Sequence, residues 1–332
     1  MVYVMTSRHL LDPQIERIVS LVPNLTFEQN ELVQLREALA ATMLTESPEN
    51  DLVVSAVHAP SIVGGPSFRL VVTIPACGAS LRPCLLHMHG GGFVIGSADW
   101  NKETDAAYAR QLGAVVVSVD YRLAPETPYP GQLDDCYAAL AWIYSEASRL
   151  NIDSAKIAVT GESAGGGLAA ALAMLARDRG EYPIAYQHLV FPMLDDRTVT
   201  STERSPFSGE FVWTPEHNRF GWTALLGHDP GGHEVSPFVA PARATDFSGL
   251  PPAFIAVGAL DLFLDEDLEY SRRLMHAGVP TELHVYPGTP HTFQMVPDAW
   301  MSRSFARDSM AALARAIAVD RPTSDHPAAE LA

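Results

Sequence analysis

The stretch KIAVTGESAGGGLAAALAML, residues 156–175, joins a short apolar run to a long segment rich in alanine and leucine. Between the two lies Ser163, flanked by Gly161 and Gly165 in the pattern G-x-S-x-G. In this pattern a strand turns sharply into a helix and exposes the serine hydroxyl, while the glycines let neighbouring backbone approach without a clash. The helix N-terminus beyond the serine favours developing negative charge. The stretch therefore predicts a strand–turn–helix corner that presents Ser163 as a nucleophile.

From residue 84 onward, short apolar runs alternate with helical stretches. The runs are CLLHMH, AVVVSV, KIAVT, YQHLVF, AFIAVG and TELHVY. Such alternation is typical of a mainly parallel sheet covered by helices on both faces. Upstream, DLVVSAVHA and FRLVVTIP are separated by glycine and proline and predict an antiparallel pair. The fold class is therefore α/β, with one central, mostly parallel sheet of about eight strands.

The aromatic-rich residues 195–237 interrupt this alternation. An insertion between two strands of a parallel sheet lies over the sheet's carboxyl edge, where such folds bind ligands. We expect it to form a helical cap together with residues 1–45, over a catalytic domain built from residues 46–194 and 238–319. Residues 320–332 are expected to be a flexible tail.

Local signals predict where the helices of the two cap segments begin and end. Asp12, followed by proline, is typical of a helix start, and Thr26 with Gln29 fits a capping box before a second helix. In the insertion, Thr214 precedes a proline at the first helical position, and Gly227 is expected to end that helix.

The composition excludes several classes of protein. With 47% hydrophobic and 18% charged residues, a chain of 332 residues can bury a substantial core. A net charge of −17 disfavours nucleic acids and anionic membranes as partners, because both attract basic patches. No run reaches the roughly 18 apolar residues of a membrane helix, and the N-terminus turns polar too early for a secretory signal. We expect a cytoplasmic protein without stable membrane association, and a homodimer remains open.

A nucleophilic serine needs a base, and the base needs an acid to orient it. His291 follows YPGTP just beyond the last predicted strand, and it is the best candidate for the base. Asp261 comes in the loop directly after AFIAVG and is the candidate for the acid, whereas Asp265 is expected to cap the following helix. Serine, acid, histidine is the chain order expected of α/β hydrolases.

A run of glycines upstream of the serine supplies donors for an oxyanion. His89 to Gly92 form the sequence HGGG directly after a predicted strand. Consecutive glycines can aim several N–H groups at one point, and with the N–H of Ala164 they predict an oxyanion hole. His87 and His89, two residues apart on the strand, also fit a pair of metal ligands. No third ligand is evident, so we expect no metal.

Five motifs resemble those of the hormone-sensitive-lipase-like carboxylesterases, the family IV esterases of the α/β-hydrolase fold. HGGGFVIGS, VDYRLAPETPYP, GESAGGGLA, VGALDLFLDED and YPGTPHTF occur in that family's order and cover residues 84–318 well. The resemblance implies that segment 121–126 braces the site. It also implies the functional residues: nucleophile Ser163, base His291, orienting acid Asp261, and oxyanion donors Gly91, Gly92 and Ala164.

Two residues depart from the family pattern. Glu162 stands where the family usually has aspartate or threonine, and Thr292 stands where glycine commonly follows the histidine. Both flank residues with implied catalytic roles, so they are expected to alter substrate preference or pH behaviour without removing a catalytic group.

The resemblance implies a serine carboxylesterase that hydrolyses short- to medium-chain esters through an acyl-enzyme and needs no cofactor or metal. Its partner is then a small-molecule ester. The aromatic residues of the insertion either line a small apolar pocket or form the cap's own core; these residues are Phe207, Phe211, Trp213 and Trp222.

Two other functions fit parts of the pattern. An amidase or an acyltransferase uses the same triad and the same acyl-enzyme, so the sequence does not separate them from an esterase. The second alternative is a non-catalytic ligand-binding receptor on the same fold, like the plant hormone receptors that resemble these esterases but lack the catalytic histidine. Because His291 is present with its partners, we disfavour the receptor.

Overall fold

A computed structural model of the chain describes residues 7–21, 27–42, 51–61, 64–77, 81–202 and 204–317. Its centre is a single sheet. The strands are β1 (Leu52–Ala59), β2 (Phe68–Pro75), β3 (Arg82–Met88), β4 (Val115–Val119), β5 (Ile152–Glu162), β6 (Tyr186–Val190), β7 (Ala253–Gly258) and β8 (Thr281–Tyr286).

The eight strands lie side by side in the order β1-β2-β4-β3-β5-β6-β7-β8. β1 and β2 are antiparallel to each other, and β2 is antiparallel to β4. All other neighbouring strands are parallel. The predicted α/β fold class, with one mostly parallel sheet and an antiparallel pair at its start, is confirmed.

Helices cover both faces of the sheet. The α-helices are α1 (Ile18–Leu21), α2 (Leu32–Thr42), α3 (Lys102–Leu112), α4 (Gly131–Leu150), α5 (Ala164–Arg179), α6 (Pro215–Leu226), α7 (Leu264–His276) and α8 (Trp300–Ile317). One apolar cluster contains side chains of α4, α5 and α7, and a second contains side chains of α3 and α8. Along β4, Val115 and Val117 belong to the first cluster and Val116 to the second, because successive strand residues point to opposite faces.

Regular helix in the first N-terminal segment begins later than predicted, although Asp12 makes bonds typical of a cap, since its carbonyl accepts from the Glu16 N–H at 3.0 Å. The Asp12 backbone N–H donates to Gly288 at 2.9 Å, and the Asp12 carboxylate accepts from the Gln14 N–H at 2.8 Å. These bonds hold the segment in a turn against the loop after β8, so regular helix begins only at Ile18. Thr26 and the predicted tail, residues 320–332, lie outside the described residues.

The predicted helix of the insertion is confirmed. Thr214 and His217 form a capping box at the start of α6, and a proline occupies the first turn. Gly227 ends the helix with a left-handed φ of 75°. Arg243, six residues beyond the insertion, donates through Nη2 to the buried Asp196 near the insertion's start at 2.8 Å. The domain boundaries themselves remain a prediction.

Within the described ranges, no helix has both the length and the apolar character that crossing a membrane requires.

The corner between β5 and α5 depends on close backbone packing against β3. A Cβ atom added to Gly165 would lie 2.1 Å from the carbonyl oxygen of Met88 and 2.5 Å from that of His89. A Cβ on Gly161 would lie 2.3 Å from the carbonyl oxygen of Gly165 itself. Only glycine fits at either position, so the corner can approach the end of β3.

We predict that Gly165→Ala destabilises the protein, although alanine normally stabilises a helix relative to glycine by roughly 0.5–1 kcal/mol. The clash involves backbone atoms that cannot rotate away, so the free energy of unfolding should fall by about 1–3 kcal/mol or more. Gly232→Ala is the control, because nothing lies within 4 Å of its added Cβ. Urea unfolding of both variants measures the difference. Equal stabilities would contradict the packing account.

Candidate active site

Ser163 lies between β5 and α5 with a positive φ of 55°. A non-glycine residue rarely adopts this conformation. Three backbone hydrogen bonds hold it: the Ser163 N–H donates to Val190, and the Ser163 carbonyl accepts from Gly167 and Met193. The residue is only 4% exposed. The corner is thus fixed from both β6 and the loop that follows it.

His291 and Asp261 complete a hydrogen-bonded chain with this serine. His291 Nε2 lies 3.0 Å from Ser163 Oγ, and His291 Nδ1 lies 2.8 Å from Asp261 Oδ2. Because an ionised carboxylate only accepts, Nδ1 donates to it and Nε2 is left to accept from the serine hydroxyl. His291 is 3% exposed and Asp261 is fully buried. The geometry allows the serine proton to pass to the imidazole.

Asp261 is held in place by its own loop. It follows β7, and its Oδ1 accepts from the Phe263 N–H at 3.0 Å. Each carboxylate oxygen therefore has a partner. The imidazole of His291 packs edge-on against Phe191 and Phe263, with ring centroids 4.7 and 5.2 Å away. These contacts fix the orientation of the ring.

The prediction that Asp265 caps α7 is wrong. The helix begins at Leu264, so Asp265 already lies in its first turn. Its Oδ2 instead accepts from the Ser205 N–H at 3.0 Å and joins α7 to the insertion. Phe263 precedes the helix without a side-chain cap, and its own N–H donates to Asp261.

The glycine run after β3 forms a tight loop beside Ser163. Gly91 and Gly92 have φ values of 114° and 58°, which favour glycine, and the Gly91 carbonyl accepts from the N–H groups of Val94 and Ile95. A Cβ on Gly90 would lie 3.5 Å from the Cβ of Ser163. The loop therefore runs directly beside the serine.

A residue of α2 that the sequence did not single out holds this loop. Arg36 donates through Nε to the Val94 carbonyl and through Nη2 to the Ala124 carbonyl, each at 2.8 Å. It also forms a bidentate pair with Glu126. Tyr121 donates to the His89 carbonyl at 2.8 Å. Nothing in the sequence marks Arg36, because its partners lie 58 to 90 residues away.

His87 and His89 have separate partners. His89 stacks on Tyr121, with ring centroids 4.1 Å apart, and its Nδ1 donates to the Gly90 carbonyl. Burial lowers the pKa of His89 to about 4, so the ring is neutral. His87 lies between Asp105 and Glu162. In the described part of the chain, no group of three or more His, Cys, Asp and Glu side chains could hold a metal ion.

The four aromatic residues of the insertion occupy different places. Trp213 lies over the glycine loop, because a Cβ on Gly92 would be 2.3 Å from its ring, and its centroid is 6.3 Å from that of His291. Trp222 is fully buried and packs against Phe93. Phe207 and Phe211 belong to an apolar cluster with Leu11 and Leu260. Of these four residues, Trp213 alone has a ring contact with a catalytic candidate in the described part of the chain.

Comparison with known proteins places the chain among hydrolases. The model of a family described as alpha/beta hydrolase fold matches residues 85–295. Esterase LipI of Mycobacterium tuberculosis is 37% identical over 241 residues, which cover 71% of this chain and 73% of that protein. Carboxylic ester hydrolase LipN of the same organism is 32% identical over 269 residues, covering 74% of this chain and 71% of that protein.

Solved structures are similar over almost the whole chain. A bacterial heroin esterase superposes with a TM-score of 0.88 at 38% identity, covering 94% of this chain and all of that one. A hyperthermophilic esterase from the archaeon Pyrobaculum calidifontis superposes with a TM-score of 0.80 at 30% identity, covering 92% of this chain and 98% of that one.

We predict that a fluorophosphonate probe labels Ser163 and that Asp261→Asn slows this labelling by several orders of magnitude. Loss of the carboxylate leaves the imidazole in the wrong tautomer, which lowers turnover about 10⁴-fold in the comparable protease triad. Mass spectrometry of labelled peptides over time measures the rate. Ser163→Ala should abolish labelling at this peptide, and Asp265→Asn should label at the normal rate. Slow labelling in Asp265→Asn alone would overturn the choice of acid.

Proposed function

The chain belongs to the hormone-sensitive-lipase-like family of α/β hydrolases, and on that premise we propose that it is a serine carboxylesterase acting on short- to medium-chain esters. The observation that carries the proposal is the hydrogen-bonded chain from Ser163 through His291 to Asp261. The named relatives, an esterase and a carboxylic ester hydrolase, support ester hydrolysis as the reaction.

The proposed reaction has two halves. In the first, Ser163 Oγ attacks the ester carbonyl carbon while its proton passes to Nε2 of His291. The tetrahedral intermediate collapses, the bond to the alcohol oxygen breaks, and the alcohol leaves with the proton from His291. In the second half, water gives a proton to His291 and attacks the acyl carbon. Ser163 then leaves with that proton, and the carboxylic acid is released.

The oxyanion that forms in each half needs nearby donors. We assign these to the N–H groups of Gly91, Gly92 and Ala164, because the first two lie in the loop beside Ser163 and the third opens α5. The N-terminal end of a helix also favours negative charge. Asp261 stabilises the imidazolium that forms on His291. These groups supply all the chemistry that the reaction needs, so the proposal requires no cofactor or metal.

The proposed cap consists of residues 1–45 and 195–237. In support, Phe27 packs against Trp213, His217 and Phe220, with ring centroids 5.2 to 5.9 Å apart. At a second contact between the two segments, Ser7 donates to Glu210 through both its N–H and its hydroxyl. The two segments are therefore in direct contact, and Trp213 extends from them to the glycine loop. A bulky ring in this place favours small acyl groups.

A panel of nitrophenyl esters of rising chain length, assayed beside an aryl amide, tests the proposed function. We expect turnover of the short and medium esters, loss of that turnover in Ser163→Ala, and much slower cleavage of the amide. Preferential cleavage of the amide would instead establish an amidase, and acyl transfer to added alcohols in place of hydrolysis an acyltransferase. Absence of turnover on every substrate, with intact labelling, would refute the esterase proposal.

Location and assembly also remain proposals. The sequence favours a cytoplasmic enzyme with a small-molecule ester as its partner, and it allows a homodimer.

We predict that Trp213→Ala shifts the chain-length optimum toward longer acyl groups. Removing the indole opens space beside Gly92 and His291 without removing a reacting atom. The measurement is kcat/KM for each ester of the panel. Trp300→Ala is the control, because Trp300 is 58% exposed and lies at the start of α8. An unchanged profile in Trp213→Ala would mean that Trp213 belongs only to the core of the cap.

A further inference from the structure

β3 and β5 are parallel neighbours that carry the two halves of the proposed site. His87 pairs with Thr160, and Met88 pairs with Gly161. Beyond these pairs, β3 continues into the glycine loop and β5 continues through Glu162 to Ser163. The distance between nucleophile and oxyanion donors is therefore set by how these two strand ends are held together.

A buried ionic bridge joins the strands at this point. His87 is fully buried, with Nδ1 2.6 Å from Asp105 Oδ1 and Nε2 3.0 Å from Glu162 Oε2. Nε2 also lies 3.1 Å from Glu162 Oε1. Ionised carboxylates only accept hydrogen bonds, so both ring nitrogens must donate. A ring that donates from both nitrogens is an imidazolium.

The hydrogen bonds around Asp105 support this protonation state. Asn101 donates to Ser118 Oγ at 3.4 Å, and Ser118 donates to Asp105 Oδ2 at 2.6 Å. Because the Ser118 oxygen accepts from Asn101, its own proton points to Asp105 Oδ2. Burial raises the pKa of Asp105, and the charge of His87 and the hydrogen bonds from His87 and Ser118 act against that rise. Burial disfavours a charged ring, but Glu162 and Asp105 outweigh it and raise the pKa of His87 to about 10.

Three further titratable groups in the described part of the chain lie near this bridge, and each is neutral. Tyr108 of α3 lies 6.0 Å from His87, centroid to centroid, and burial raises its pKa. His188 of β6 bonds to Thr160 and Ser309, and burial lowers its pKa to about 3. On the remaining side, His89 is neutral. His87 therefore carries the positive charge that balances the carboxylates of Asp105 and Glu162.

We propose that His87 is a positioning residue, an imidazolium clamped between Asp105 and Glu162, which holds the oxyanion strand β3 at a fixed distance from the nucleophile strand β5. This role rests on the proposed function of Ser163. It explains why a glutamate occupies position 162, directly before the nucleophile: its carboxylate reaches His87 on the neighbouring strand. It also gives His87 a role other than metal ligation.

The bridge lies close to the proposed reacting groups, where small displacements lower the reaction rate. A Cβ on Gly90 would lie 3.2 Å from the Glu162 carbonyl oxygen, so the glycine loop already touches the backbone of the corner. Misplacing reacting groups by about 1 Å can lower the rate roughly 100-fold. Loosening the bridge should therefore reduce kcat more than it changes KM.

The pH dependence has a definite sign. The folded-state pKa of His87 lies above that of an ordinary histidine, so the bridge is intact at neutral pH and is lost as the pH rises through about 10. Activity should accordingly fall on the alkaline side. Replacing Glu162 by glutamine removes one of the two carboxylates that raise this pKa, so the alkaline fall should move to lower pH.

The test compares Glu162→Gln with Glu162→Asp. Glutamine keeps the size and removes the charge; aspartate keeps the charge and shortens the side chain. We expect Glu162→Gln to lower kcat about 10- to 100-fold with little change in KM. In this variant the alkaline fall in activity should also move to lower pH, whereas in Glu162→Asp it should occur at the same pH as in the wild type. Glu282→Gln is the matched control, because His284 on β8 also lies between two carboxylates, Glu282 and Asp308.

A second measurement does not depend on turnover. With ¹⁵N-labelled histidine, the His87 resonances, assigned by their loss in His87→Gln, should show both nitrogens protonated at pH 8. A neutral tautomer there, or an alkaline limb that is the same in Glu162→Gln and wild type, overturns the proposal. If the wild type hydrolyses no ester, the proposed function fails by itself, and the fluorophosphonate labelling rate of Ser163 replaces turnover as the readout.

Discussion

The proposed site depends on how closely the corner between β5 and α5 approaches the end of β3. Added Cβ atoms at Gly161 and Gly165 would collide with backbone atoms, and Gly90 already touches the Glu162 carbonyl. Interiors pack densely, so a gap here would not be filled by small adjustments. The absence of side chains at these positions lets two main chains meet, and Ser163 consequently lies beside the glycine loop.

Acids near the corner respond differently to their surroundings. The His87 ring lowers the pKa of Glu162, whereas burial raises the pKa of Asp105 although His87 acts against that rise. Asp267, on α7, is different: burial raises its pKa well above the usual range, and neither carboxylate oxygen has a partner within the described residues. The neutral form is thus favoured where no cation is near.

Much of this arrangement could be predicted from the sequence because it is local. The strands are short apolar runs, and Ser163, Asp261 and His291 each follow one of them, so their meeting at one sheet edge follows from the parallel topology. The role of Asp265 could not be predicted, because a short carboxylate near a helix start caps it or bonds elsewhere depending on tertiary contacts. The role of Arg36 could not be predicted either, since its partners come from loops that are distant in the sequence.

Thr292, which follows the proposed base His291, lies in a strained backbone conformation. It adopts a left-handed φ of 56°, and its Oγ1 is buried without a partner among the described residues. A β-branched residue in this conformation costs about 1–3 kcal/mol. Glycine, which the family commonly has here, would relieve the strain but would also free the backbone next to His291. Ser163 carries a similar positive φ. Strained backbone therefore lies at or beside both ends of the serine–histidine hydrogen bond, and at Ser163 three backbone hydrogen bonds hold it in place.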